Sequence, residues 1–186
     1  PTQSPAPEPF AVPGSFPEAA SLPLGRYAPW QKDYMEFLSQ LCRQEQDLRQ
    51  WAENATSAEV DADPERWEAY NLCSDSYWLY DVDKDGVPEL FIRYGNSEAA
   101  YETVCYTYRE DSGQPLEVGR FPAGHSTLLT YPEDNGFLLY WAHMGAAHVD
   151  RYTLEEGGLV NQGQVFGSDL DAAQQEDYPT PEKIHP

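Results

Sequence analysis

The chain of 186 residues carries 32 Asp and Glu against 11 Lys and Arg, a formal net charge of −21. A surface so acidic repels nucleic acid and anionic lipid while gathering cations, which excludes a nucleic-acid-binding role. The longest apolar run, Phe137–Ala142, is far short of the ~20 residues a membrane helix needs, and the length suits one domain with a sizeable core plus a tail.

Residues 1–29 hold eight of the 16 prolines, mixed with Ala, Ser and Glu. That composition predicts a semi-extended, lipoprotein-like stalk, part of which docks onto the domain through Phe10, Val12 and Phe16. The sequence given shows no signal-peptide pattern, and from its start at Pro1 a processed chain is expected. A globular domain is expected over 30–167. It opens with a helix that has Pro29 in its first turn and runs to about Asn54. Trp30, Tyr34, Phe37, Leu38, Leu41, Cys42, Leu48 and Trp51 recur at three- and four-residue steps, one apolar stripe about 36 Å long that can cross a whole sheet.

Thr56-x-x-Glu59 and Asp63-Pro64 are helix-start signals, so short helical turns are expected within 57–71. From Ser76 the period changes. Strands are expected near 76–81, 88–94, 101–109, 115–121, 126–131, 136–142, 147–155 and 158–165, with hairpin breaks at Asp111-Ser-Gly113, Asn135-Gly136 and Glu156-Gly-Gly158. The expected fold is α+β: a long N-terminal helix packed on an antiparallel meander of about eight strands. Several strands are apolar on both faces, Ser76–Tyr80 and Phe137–Trp141 among them, and such strands need cover on both sides. The helix supplies one side; a second sheet layer, the N-terminal segment or a partner supplies the other. Residues 168–186 read as a tail that begins as a short helix. Cys42, Cys73 and Cys105 are odd in number and match no zinc spacing, so buried free thiols are expected, with one disulfide plus a free thiol as the alternative in an oxidising compartment.

The sharpest signal lies between the first two strands, in Tyr80-Asp-Val-Asp-Lys-Asp-Gly-Val-Pro-Glu-Leu90. Calcium takes six to eight oxygen ligands in a forgiving geometry. Asp81, Asp83 and Asp85 stand at loop positions 1, 3 and 5, and Gly86 supplies the sharp turn at position 6. Val87 offers its backbone carbonyl at position 7, and Glu89 closes the shell directly or through water. Without a cation these carboxylates repel one another. A plain acidic turn has no use for alternate Asp at three successive positions.

This Asp-x-Asp-x-Asp-Gly-x-x-Glu pattern resembles the calcium loops of dockerins and of FG-GAP and VCBS repeats. Ile92 replaces the bidentate Glu of a full EF-hand, and the exit segment reads as a strand. The resemblance therefore implies a strand–loop–strand site closed at position 9. A wider likeness, carried by this loop with Tyr94-Gly-Asn, Gly124-His-Ser and Trp141-Ala-His-Met-Gly145, is to a group of uncharacterised exported proteins of gut Firmicutes bacteria. It implies an extracytoplasmic setting, secreted or tethered to the cell envelope.

His125, His143 and His148 form the one cluster suggestive of catalysis. His125-Ser126 is badly placed for proton transfer, because adjacent strand residues face opposite ways. A continuous strand would also separate His143 from His148, whereas His125 and His143 can meet across a sheet. The expected function is a non-catalytic binding or adhesion module, stabilised by Ca2+ and recognising a glycan, wall component or protein. The alternatives are an extracellular hydrolase using His125 or His143, and a purely structural spacer.

Overall fold

A computed structural model describes residues 27–132, 134–156 and 158–167. Most of the expected stalk, with Phe10, Val12 and Phe16, and the expected tail from Ser168 lie outside the described residues.

Helix α1 (Pro29–Asn54) starts at the proline whose missing N–H leaves nothing unsatisfied at that position. Its apolar stripe is the face that packs: Tyr34 is almost wholly buried against Leu90 and Ile92, with Trp30, Phe37, Leu38 and Leu41 around them. Helices α2 (Ser57–Ala62) and α3 (Pro64–Asn71) begin at the two expected signals. The Thr56 N–H donates to Glu59 Oε2 at 2.8 Å, and the Arg66 N–H donates to Asp63 Oδ1 at 3.1 Å. Trp51 and Trp67, with ring centroids 6.3 Å apart, pack α3 back onto α1. Glu45 in α1 is buried and fully engaged. It accepts from the Ser74 N–H at 2.8 Å, from Ser74 Oγ at 2.6 Å and from Arg49 Nη2 at 2.7 Å, tying the helix to the start of the first strand.

Eight strands follow, close to their expected positions, but they do not form one meander. β1 (Ser74–Tyr80), β2 (Glu89–Tyr94), β3 (Glu102–Thr107) and β4 (Leu116–Pro122) make one four-stranded antiparallel sheet. β5 (Ser126–Thr130), β6 (Phe137–His143), β7 (Ala146–Glu155) and β8 (Gly158–Gly167) make a second. The break falls at Pro122-Ala-Gly-His125. There the Ala123 and His125 N–H groups donate to the Tyr101 and Glu98 carbonyls, at 2.8 and 3.2 Å, rather than to a neighbouring strand. His125 adopts φ 55°, and Gly124 lies so near the Ala99 carbonyl that an added Cβ would come within 2.8 Å of it. The chain thus crosses from one sheet to the other.

The two sheets pack face to face. Between them lie Trp78, Phe91, Phe121, Leu128, Phe137, Leu139 and Tyr152. Phe91 meets Phe137 edge-on with centroids 5.2 Å apart, and Phe137 stacks on Tyr152 at 5.2 Å, two of the favoured aromatic geometries. Alternation along β1 and β2 sends Trp78 and Phe91 into this core, and Tyr77, Leu79, Leu90 and Ile92 to the helix. The strands apolar on both faces therefore have helix on one side and sheet on the other. Cys42, Cys73 and Cys105 are free, with Cys73 and Cys105 buried.

Candidate metal centre

β1 and β2 are paired in register up to Tyr80 opposite Glu89, and the eight residues between them are the acidic loop. Gly86 takes φ +92°, the turn that lets the chain curl back. The loop is wound by its own carboxylates. The Gly86 N–H donates to Asp81 Oδ2 at 3.1 Å, the Asp85 N–H to Asp83 Oδ1 at 3.2 Å, and the Val87 N–H to Asp85 Oδ1 at 2.7 Å.

The curl brings one oxygen each of Asp81, Asp83 and Glu89 within 4.8 Å of one another, a group that can hold a metal ion. The Asp85 carboxylate, also expected as a ligand, is not part of that group of side chains. Asp81 and Asp83 belong to the loop, whereas Glu89 is the first residue of β2 and only 2% exposed. Glu89 Oε2 accepts the Val82 N–H at 2.9 Å, and Oε1 accepts from Thr107 Oγ1 at 3.1 Å. Burial, reinforced by the charge of Asp83, pushes the Glu89 carboxyl up to about 7, even though those hydrogen bonds favour its anion. The Asp83 carboxyl is also raised, chiefly by desolvation, with Asp85 and Asp81 adding repulsion. Asp81 Oδ1 is buried with no hydrogen-bond partner, an arrangement that costs stability unless something positive sits beside it. Among the described residues, the donor set is all oxygen, which suits hard cations.

The loop is fastened to both neighbouring layers. On the helix side, Tyr34 Oη donates to the Pro88 carbonyl at 2.9 Å. On the other side, Val82 is fully buried in the core between the sheets, and its carbonyl accepts the Gly136 N–H of the β5–β6 turn at 2.8 Å. Lys84, at φ 65°, donates to the Asp81 carbonyl at 2.6 Å and to Tyr80 Oη at 2.9 Å; that phenol oxygen also accepts the Tyr131 N–H at 2.8 Å. Sequence reasoning missed Val82, Thr107 and Lys84. The one signal was an aliphatic residue standing between two aspartates, which a solvated turn would not require.

His125 and His143 meet across the second sheet as expected, whereas His148 is not separated from His143. Met144 and Gly145 form a two-residue hairpin between β6 and β7, both at positive φ. Trp141 pairs with His148 and His143 with Ala146, so Trp141, His143 and His148 share one face rather than being separated. His125 and His143 stack at 4.0 Å with 16° between their planes, and His148 stacks on Trp141 at 4.9 Å. A parallel stack turns ring faces, not ring nitrogens, toward each other. The carboxylate nearest His125, that of Glu98, stands 3.5 Å from Nδ1 and is largely exposed. Among the described residues, the contacts of this cluster contain no nucleophile held against a base.

Fold and site together define a helix-backed pair of antiparallel sheets with an acidic, metal-capable hairpin loop. Comparison of the chain with protein-family models, with curated proteins and with solved structures gave no match.

Proposed function

We propose that the β1–β2 loop binds one calcium ion, and that the chain is an exported, calcium-stabilised, non-catalytic binding module of the bacterial cell surface. The observation that carries the ion is Asp81 Oδ1, buried and unpartnered beside Asp83 and Glu89. Calcium suits the loop better than magnesium. It accepts a flexible shell of six to eight oxygens, whereas magnesium demands a rigid octahedron and gives up its waters reluctantly. Asp85 and the Val87 carbonyl are proposed as further ligands on the strength of their loop positions. The resemblance to FG-GAP, VCBS and dockerin loops supports the same set. The ion is structural in the first instance: it neutralises the loop that anchors Val82 between the sheets, and its binding free energy adds to folding stability.

An extracytoplasmic setting is supported by a loop of this kind being most useful where calcium is plentiful, and by the wider likeness to exported proteins. A binding role is preferred to hydrolysis because, among the described residues, the histidine stack turns ring faces rather than ring nitrogens toward each other. Calorimetric titration of calcium into chelator-stripped protein is expected to give one site per chain, with much weaker binding of magnesium and none in Asp83→Ala. A featureless titration with the wild-type chain refutes the calcium reading.

A further inference from the structure

The turn between β5 and β6 contains Asn135-Gly136, an asparagine directly before a glycine, whereas Asn54, Asn71, Asn96 and Asn161 precede Ala, Leu, Ser and Gln. The fold needs both residues of the pair. Asn135 extends the β6–β7 ladder past its last main-chain pair, Phe137 with Tyr152. Its Oδ1 accepts the Leu154 N–H at 3.0 Å, and its Nδ2 donates to the Leu154 carbonyl at 2.6 Å. Gly136 has φ +135°, and a Cβ there would lie 2.4 Å from the Tyr152 carbonyl oxygen, so any side chain would strike main chain. The Gly136 N–H donates to the carbonyl of the buried Val82 at 2.8 Å, which fastens the acidic loop to this turn.

An asparagine cyclises most readily before glycine, whose nitrogen has no side chain beside it to block the approach. The Gly136 nitrogen, its proton taken up by solvent base, bonds to Asn135 Cγ; the bond from Cγ to the side-chain nitrogen breaks, and that nitrogen takes a proton and leaves as ammonia. Water then opens the succinimide at one carbonyl or the other, leaving aspartate or isoaspartate, and nothing is oxidised or reduced. In the folded chain the attack requires the two Asn135–Leu154 hydrogen bonds and the Gly136–Val82 hydrogen bond to open. The products do not restore them. A carboxylate sets an acceptor where Nδ2 had donated to the Leu154 carbonyl. Isoaspartate also lengthens the main chain by one carbon just before Gly136.

We propose that Asn135 is a deamidation site which the fold holds in check, and that its conversion uncouples the acidic loop from the second sheet. This stands on the hydrogen bonds of the turn and does not depend on a bound ion. Full-length protein in mildly alkaline buffer, the same protein in urea, and a synthetic peptide spanning residues 130–140 are aged side by side. Peptide mapping by mass spectrometry follows the mass gain at each asparagine, and enzymatic methylation detects isoaspartate. Asn135 should lead the other asparagines in urea and match the rate of the peptide. In the folded chain it should react about tenfold more slowly or less, because the population of the open turn sets the rate. Asn135→Asp, which carries the direct product, should melt about 5 °C or more below the wild type. Its Gly136 amide hydrogen should also exchange faster by NMR, since that hydrogen ties the turn to Val82. A folded chain that reacts as fast as the peptide, another asparagine leading in urea, or an Asn135→Asp protein whose melting or Gly136 exchange matches the wild type overturns the proposal.

Discussion

At the scale of the residue, Glu89 decides how the loop responds to pH. Its carboxyl is raised from the ordinary 4.5 to about 7 because burial penalises the anion. The folded state therefore holds a proton that the unfolded chain has already released. The contribution of Glu89 to the stability of the metal-free protein is fullest below about 4.5 and is lost as pH rises through about 7, a change on the order of 3 kcal/mol. A bound cation reverses the preference, because it stabilises the anion and displaces the proton. Calcium affinity should therefore rise with pH across the same window. Glu89→Gln retains an acceptor for the Val82 N–H but carries no charge. In chelator it should gain on the wild type as pH rises from 5 to 8 and melt above it at pH 8; in calcium it should melt below the wild type. Chemical denaturation at the two pH values checks this. A metal-free stability difference between wild type and Glu89→Gln that does not change between the two pH values contradicts the assignment. Asp81, Asp83 and Glu89 were legible in the sequence because their spacing is itself the signal. The burial of Glu89 was not, since it depends on Thr107, eighteen residues away and brought alongside only by strand pairing.

At the scale of the element, the loop is held between the helix and the second sheet. Tyr34→Phe removes the hydrogen bond to the Pro88 carbonyl while keeping the ring in its pocket. The expected loss is about 1 kcal/mol of stability, read by denaturant titration; an unchanged midpoint means this tie carries no weight. The sheets also meet where β4 passes β8. Gly158 there has φ +120°, and a Cβ would lie 2.2 Å from the Val118 carbonyl oxygen. Gly158→Ala combines a strained backbone with a clash against main chain that cannot swing away, and should cost about 3 kcal/mol or more. A variant as stable as the wild type would show that the strands do not pack as described. The helices and strands were readable because periodicity, the Thr56 and Asp63 caps and the Asn135-Gly136 turn are local signals. The division into two sheets was not. Whether β4 pairs with β5 is settled by where the Ala123 and His125 amides find acceptors, at Tyr101 and Glu98, and no local pattern announces that. The shared face of His143 and His148 escaped for a related reason, since Met144 accepts a positive φ that sequence would assign to glycine or asparagine.

At the scale of the whole molecule, the acidic loop is a joint. Helix α1, the first sheet and the second sheet converge on it through Tyr34, Glu89 and Val82, so an ion there acts on the packing of three layers and not on one hairpin alone. The net charge of −21 works against the compact state by self-repulsion, and a divalent cation at the joint offsets part of it. The most direct test is thermal unfolding of the wild-type chain and of Asp83→Ala, each in excess chelator and in calcium at about a hundred times its dissociation constant. Calcium at that level adds about 2.7 kcal/mol, which for a chain of this size is a rise of about 5–10 °C in Tm. The account expects that rise in the wild type and its absence in Asp83→Ala, each protein being compared with itself in chelator, because the substitution also removes an acceptor for the Asp85 N–H and a carboxylate that repels its neighbours. Superimposable wild-type curves with and without calcium would contradict it.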